Sequence, residues 1–212
     1  MTTIIRKAAL AFTGLAATTG AVVGPIAAPA LANDGAHAAP AERHSAVKEL
    51  DVQYKAQENY YYCGPASTRI ALSAQDKTPS QDEVARHLGT TENGTNSAED
   101  TTRVLEDLTG EDYETTVIPD QAAAERHHDE LQSDITETIN DERAVVINIA
   151  GTVVDTDGVR HSYPGGHYVA VVGYRDGGEQ VKIADPAKPD RGTYWVDVEQ
   201  VAEWIATRGY SH

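Results

Sequence analysis

Gln57-Glu58-Asn59-Tyr60-Tyr61-Tyr62-Cys63-Gly64-Pro65-Ala66-Ser67 holds the only cysteine of the 212-residue chain. Pro65 and the small residues after it mark a helix entrance, because a proline in the first turn gives up an N–H that has no intrahelical partner. Cys63 is therefore expected at the positive end of a helix. That field, with a nearby imidazolium, favours thiolate over thiol and moves the pKa from about 8.5 to roughly 3.5–7.5. Gln57, six residues upstream, carries a side-chain NH2 that suits, together with the Cys63 backbone N–H, the negative oxygen formed when a thiolate attacks a carbonyl. A lone thiol also has blander uses, as a small buried hydrophobe or as one half of an intermolecular disulfide.

Residues 1–32 read as a signal peptide. Arg6 and Lys7 precede a stretch without charge up to Asp34, which ends in Pro29 and Ala30-Leu31-Ala32, a small-residue cleavage pattern. The Ala, Gly and Thr content is weakly hydrophobic for a membrane span, so cleavage after Ala32 and a secreted, extracellular product are expected. Losing Arg6 and Lys7 takes the formal net charge from −16 to −18. Such an acidic surface disfavours nucleic acid and stable membrane association, both of which need a clustered positive face. One cysteine allows no internal disulfide, so the core must hold by packing alone.

Residues 33–49, rich in Ala, His, Pro and charge without apolar periodicity, are expected to form a flexible linker or propeptide. Residues 50–212 then form one domain. Leu50, Val52 and Tyr54 alternate with polar residues as in a strand. Helices are expected from Cys63 to about Ala74, from Gln81 to Leu88 behind Ser80 and before Gly89, and from Ser97 to Leu108 before Gly110. Tyr113 to Ile118 reads as a weak strand. Gln121 to Asn140 carries Leu131, Ile135 and Ile139 on one helical face. Ala144-Val145-Val146-Ile147-Asn148-Ile149 has the continuous apolar run of a central buried strand, and a polar loop through Asp155, Asp157, His161 and Pro164 follows. His167 to Tyr174, Val181 to Ala184 and Thr193 to Val196 are further strands, and Glu199 to Thr207 closes the chain as a helix. Helices first and strands later give an α+β architecture.

A thiolate nucleophile needs an imidazole as base and acid and a polar group to orient it. Of eight histidines, His37 and His44 fall in the linker, His87, His127 and His128 on polar helical surfaces, and His212 at the terminus. His127 and His128 are adjacent on a helix and cannot share a metal. His161 lies in the expected loop. His167 opens a buried strand after Gly165-Gly166, which lets a substrate backbone approach while the sheet holds the ring. Asp185, on the neighbouring strand and fixed by Pro186, is placed to orient it, whereas Asp176 sits in a turn. Tyr60-Tyr61-Tyr62 suits either a substrate groove or packing against the core. Neither a metal cluster nor a phosphate-binding glycine loop is present, so no cofactor is expected.

Gln57, Cys63-Gly64-Pro65, Gly165-Gly166-His167-Tyr168 and Ala184-Asp185-Pro186 occur in the order of the C39-like cysteine peptidases, which this sequence resembles from about Leu50 to Trp204. The resemblance implies a papain-like cysteine peptidase fold, with N-terminal helices followed by an antiparallel sheet. It also implies that Cys63 attacks a peptide or protein substrate, His167 is base and acid, Asp185 orients it, and Gln57 with the Cys63 N–H holds the oxyanion. The best-known members are exporter domains that cleave leader peptides after a double glycine. This sequence looks more like the free-standing exported branch. A binding module without turnover, or a thiol acyltransferase resembling transglutaminases, are the alternatives.

Overall fold

A computed structural model describes residues 47–190 and 192–212. The signal segment and nearly all of the linker lie outside the described residues. Thirteen short segments alternate from there: β1 (Lys48–Glu49), α1 (Cys63–Ser73), α2 (Gln81–Leu88), α3 (Ala98–Thr109), β2 (Thr115–Ile118), α4 (Gln121–Asn140), β3 (Val145–Val154), β4 (Arg160–Arg175), a 3-10 turn (Asp176–Gly178), β5 (Gln180–Ala184), β6 (Thr193–Asp197), α5 (Val198–Ile205) and β7 (Arg208–Ser211). The strands form one antiparallel sheet in the order β2-β7-β3-β4-β5-β6. β1 pairs with β4 beyond the end of β3.

Local chemistry sets several boundaries. Ser80 Oγ accepts the Glu83 N–H at 3.2 Å to open α2, and Gly89 closes it in the left-handed region that a side chain would disfavour. Asp120 Oδ1 accepts the Ala123 N–H at 2.7 Å and opens α4. Along α4 the residues Leu131, Ile135 and Ile139 are fully buried, each worth roughly 1.5–3 kcal/mol of transfer free energy. That stripe packs toward α5, which in turn packs against β3, while α1 lies against β4. Consecutive residues from Val145 to Ile149 are all buried, so both faces of the sheet are covered there.

Four expectations are corrected. Residues 50–56 keep the alternating burial of a strand but form no ladder, the Leu50 N–H making a single bond to Val172 O at 2.9 Å; the ladder itself is formed by Lys48 and Glu49, the last residues assigned to the linker. The polar loop after residue 149 is a long hairpin instead. Ile149 pairs with His167, and past a bulge the ladder runs on to Val154 opposite Arg160. Asp155 closes its end, Oδ1 accepting the N–H groups of Asp157 at 3.0 Å and Val159 at 2.8 Å, a side-chain turn that nucleates the reversal. His161 is accordingly a buried strand residue and not part of a flexible loop.

The fourth correction is at the C-terminus, where α5 stops at Ile205 and β7 follows, its Ser211 and Tyr210 pairing with Val146 and Ile147. Arg-Gly-Tyr-Ser lacks an alternating apolar pattern. Its place in the sheet comes from the open edge of β3 and from β2 on its other side.

Candidate active site

α1 begins at Cys63, behind a tight turn in which Asn59 Oδ1 accepts the Tyr61 N–H at 3.1 Å. No side chain caps this helix, which leaves first-turn N–H groups available to a negative atom. Gly64 is required by packing: a Cβ there would stand 2.2 Å from Thr95 Oγ1. Thr95, itself bonded to Thr90 Oγ1 at 2.8 Å, closes the 89–97 loop over the helix entrance.

His167 comes from β4, after Gly166 at φ +99°, a conformation open to glycine and costly for other residues. Its ring faces the Cys63 thiol closely enough for each to shift the other's pKa, and its Nε2 lies 2.9 Å from Asp185 Oδ1. Nδ1 is thus the nitrogen left for the thiol. Asp185, at the end of β5, is fully buried. Every acceptor direction has a use: Oδ1 also accepts the Ala187 N–H at 3.0 Å, and Oδ2 accepts the hydroxyls of Tyr163 at 2.6 Å and Tyr194 at 3.0 Å. The Tyr163 ring stacks on His167 with centroids 4.0 Å apart.

The three ionisable groups shift in a coupled way. Burial pushes the Cys63 thiol up, but hydrogen bonding and attraction to His167, with the N–H groups of Tyr168 and Gly64, outweigh it and hold the thiol below its ordinary value. For His167, burial favours the neutral ring, yet Asp185 and Cys63 together push its pKa up to about 9. Asp185 is held below the usual carboxylate range, its burial more than offset by His167 and Tyr163. A thiolate facing an imidazolium is the state these shifts favour at neutral pH.

Gln57 adjoins the same turn as Asp185, its backbone N–H donating to Pro186 O at 2.9 Å. Its Nε2 donates one hydrogen to Asn59 O at 2.8 Å, while Oε1 is buried with no hydrogen-bond partner among the described residues. The Asn59 carbonyl fixes the amide's orientation, since exchanging nitrogen and oxygen would bring two acceptors together. The second Nε2 hydrogen is uncommitted by that bond.

The structure therefore brings Cys63, His167 and Asp185 together, with His167 between the other two, and sets Gln57 beside the Asp185-Pro186 turn. Asp176 sits instead near Arg175, with 4.0 Å between Oδ2 and Nε. Tyr60 is 78% exposed and packs edge-on against Tyr61, so the tyrosine run is not core. Tyr62 donates to Asp82 Oδ1 at 2.8 Å. Sequence reasoning missed Tyr163 and Tyr194, for which a tyrosine in a supposed loop and another in a short strand give no signal. It also missed a second buried pair, His161 Nε2 to Asp155 Oδ2 at 2.9 Å.

Comparison with known proteins gives the same fold. A protein from Bacillus anthracis described as a C39-like peptidase is similar to this chain with a TM-score of 0.54 and 15% identity, over 78% of this chain and 96% of that one. The peptidase domain of Streptococcus ComA, a bi-functional ABC transporter involved in a quorum sensing pathway, aligns with a TM-score of 0.49 and 19% identity, over 76% and 97%. No significant match to a curated protein sequence was found. The model of the Peptidase_C39 like family matches residues 49–212, and with the antiparallel papain-like fold around Cys63 the chain belongs to that family.

Proposed function

We propose that the protein is a secreted cysteine peptidase that hydrolyses peptide bonds through Cys63, His167, Asp185 and Gln57. The observation that carries this reading is His167 set between the Cys63 thiol, whose pKa it lowers, and Asp185 Oδ1, 2.9 Å from its Nε2. Cys63 Sγ attacks the scissile carbonyl carbon, and the carbonyl electrons move to oxygen. The Cys63 N–H and the free hydrogen of Gln57 Nε2 stabilise that oxyanion. His167 Nδ1 gives its proton to the leaving amine, the C–N bond breaks, and a thioester remains. Water then loses a proton to His167 and attacks the thioester, releasing the acid and restoring the thiolate. Asp185 holds Nε2–H throughout, which fixes the tautomer and stabilises the imidazolium.

Alkylation of Cys63 by iodoacetamide across pH tests the reading without knowledge of the substrate. The expected titration lies well below the ordinary thiol value of about 8.5. A thiol inert at every pH would leave a binding module as the better account. Product analysis of cleaved peptides with and without an added amine separates hydrolysis from acyl transfer. Export through residues 1–32 is tested by mass spectrometry of culture supernatant, where the mature chain should begin at Asn33 or later, and an intact Met1 would contradict it.

A further inference from the structure

A cleft of about 220 Å³ is bordered by Asn96, Ser97, Val117, Asn148, Thr207 and Arg208. β7 delivers Arg208 to it, and the guanidinium rests on Gly166, the residue before His167: a Cβ there would stand 3.0 Å from Nη2 and 3.1 Å from Nη1. Tyr168 ties the cleft to the thiol. Its hydroxyl accepts from Asn148 Nδ2 at 3.0 Å, and its phenol feels the charges of Cys63, Asp100 and Arg208. Arg208 is half-buried, and among the described residues its guanidinium has no hydrogen-bond or ion-pair partner. Glu99, the carboxylate on the rim, is held by Ser97 and by its own backbone amide.

A guanidinium without a hydrogen-bond or ion-pair partner among the described residues is available to a negative ligand, although the carboxylates of Glu99 and Asp100 stand nearby. Its planar fork matches a carboxylate with two parallel hydrogen bonds, which neither a neutral amide nor a cation reproduces. Gly166 adjoins His167, and an extended peptide advances about 3.3–3.6 Å per residue, so a strand crossing the thiol reaches Arg208 within a residue or two.

We propose that Arg208 selects substrates with an aspartate or glutamate a residue or two from the scissile bond. This inference rests on the peptidase reading above and specifies the substrate class of that site. Asn148 and Tyr168 shape the wall of the pocket, and Arg208 supplies the charge.

The test is digestion of a complex peptide library followed by sequencing of the cleavage windows by mass spectrometry. In the wild type one position should favour Asp and Glu over Asn and Gln by about tenfold, the scale of a charge-assisted hydrogen bond discounted for partial exposure. Arg208→Gln should erase that ratio, Arg208→Lys should leave part of it, and Arg208→Glu should turn it toward Lys and Arg. Circular dichroism confirms that each variant is folded, and the lysine variant serves if the glutamine variant is not. Cleavage without an acidic preference, or a preference that survives Arg208→Gln, overturns the inference and leaves the peptidase reading standing. Absence of any cleavage while Cys63 still alkylates overturns both.

Discussion

Two buried histidine-aspartate pairs stand close together in this sheet and look alike. His167 Nε2 is 2.9 Å from Asp185 Oδ1, and His161 Nε2 is 2.9 Å from Asp155 Oδ2. Each ring stacks on a tyrosine, Tyr163 at 4.0 Å and Tyr194 at 3.7 Å between centroids. Both tyrosines donate to the same oxygen of Asp185, so the second pair braces the first through Tyr194. The difference lies at the remaining ring nitrogen. That of His167 meets Cys63, whereas His161 Nδ1 is buried without a partner among the described residues. A carboxylate can orient any imidazole; the chemistry depends on what the other nitrogen touches.

The largest effect should come from the thiol that separates the two pairs. Cys63→Ala is predicted to abolish peptide hydrolysis while leaving the circular dichroism spectrum unchanged, because Ala suits the first turn of α1 and Gly64 keeps its contact with Thr95. Turnover retained in that variant would end the cysteine-peptidase reading. The two histidines provide the sharpest contrast. In His167→Ala the alkylation titration of Cys63 should rise toward the ordinary thiol value, since its dominant stabilising partner is gone. In His161→Ala the titration should stay in place while the protein loses about 2–4 kcal/mol in urea unfolding, from breaking a buried pair whose Asp155 keeps its backbone donors. Equal titration shifts in both variants would mean that the pairs act as one unit.

Gln57→Ala should lower turnover by about 10²–10³-fold with little change in Cys63 labelling, because it removes an oxyanion donor and leaves the nucleophile. Comparable loss of labelling would point to misfolding of the 57–62 turn. The smallest effect concerns Tyr163, which helps hold Asp185 ionised. A depressed carboxylate does its work above its pKa and loses it as pH falls through that value, so Tyr163→Phe should move the acid limb of the pH–rate profile upward, by less than about one unit. On the alkaline side, hydrolysis needs protonated His167 and should fall as pH rises through about 9. That alkaline limb should be unmoved by His161→Ala.

Much of this was legible in the chain. The stretch around Cys63 placed the thiol at a helix entrance, because Pro65 and its small neighbours permit little else there. Ser80 with Gly89 and the stripe of Leu131, Ile135 and Ile139 marked α2 and α4, since capping chemistry and helical period are local properties. His167 and Asp185 were legible as strand neighbours because continuous apolar runs flank both.

What needed the tertiary structure was everything carried by distant partners. His161 reads as a loop residue until Asp155 closes the hairpin and β3 extends to meet it. Tyr163 and Tyr194 acquire meaning only when β5 and β6 bring Asp185 within reach of both hydroxyls. β7 has no strand pattern of its own; the exposed edges of β2 and β3 recruit it, and with it Arg208 is carried to Gly166. Sequence alone determined helices α1 to α4 and the identity of the thiol, because these rest on periodicity, capping and residue type. The sheet decided which polar groups share a buried site, because pairing register is a long-range property that a single strand does not encode.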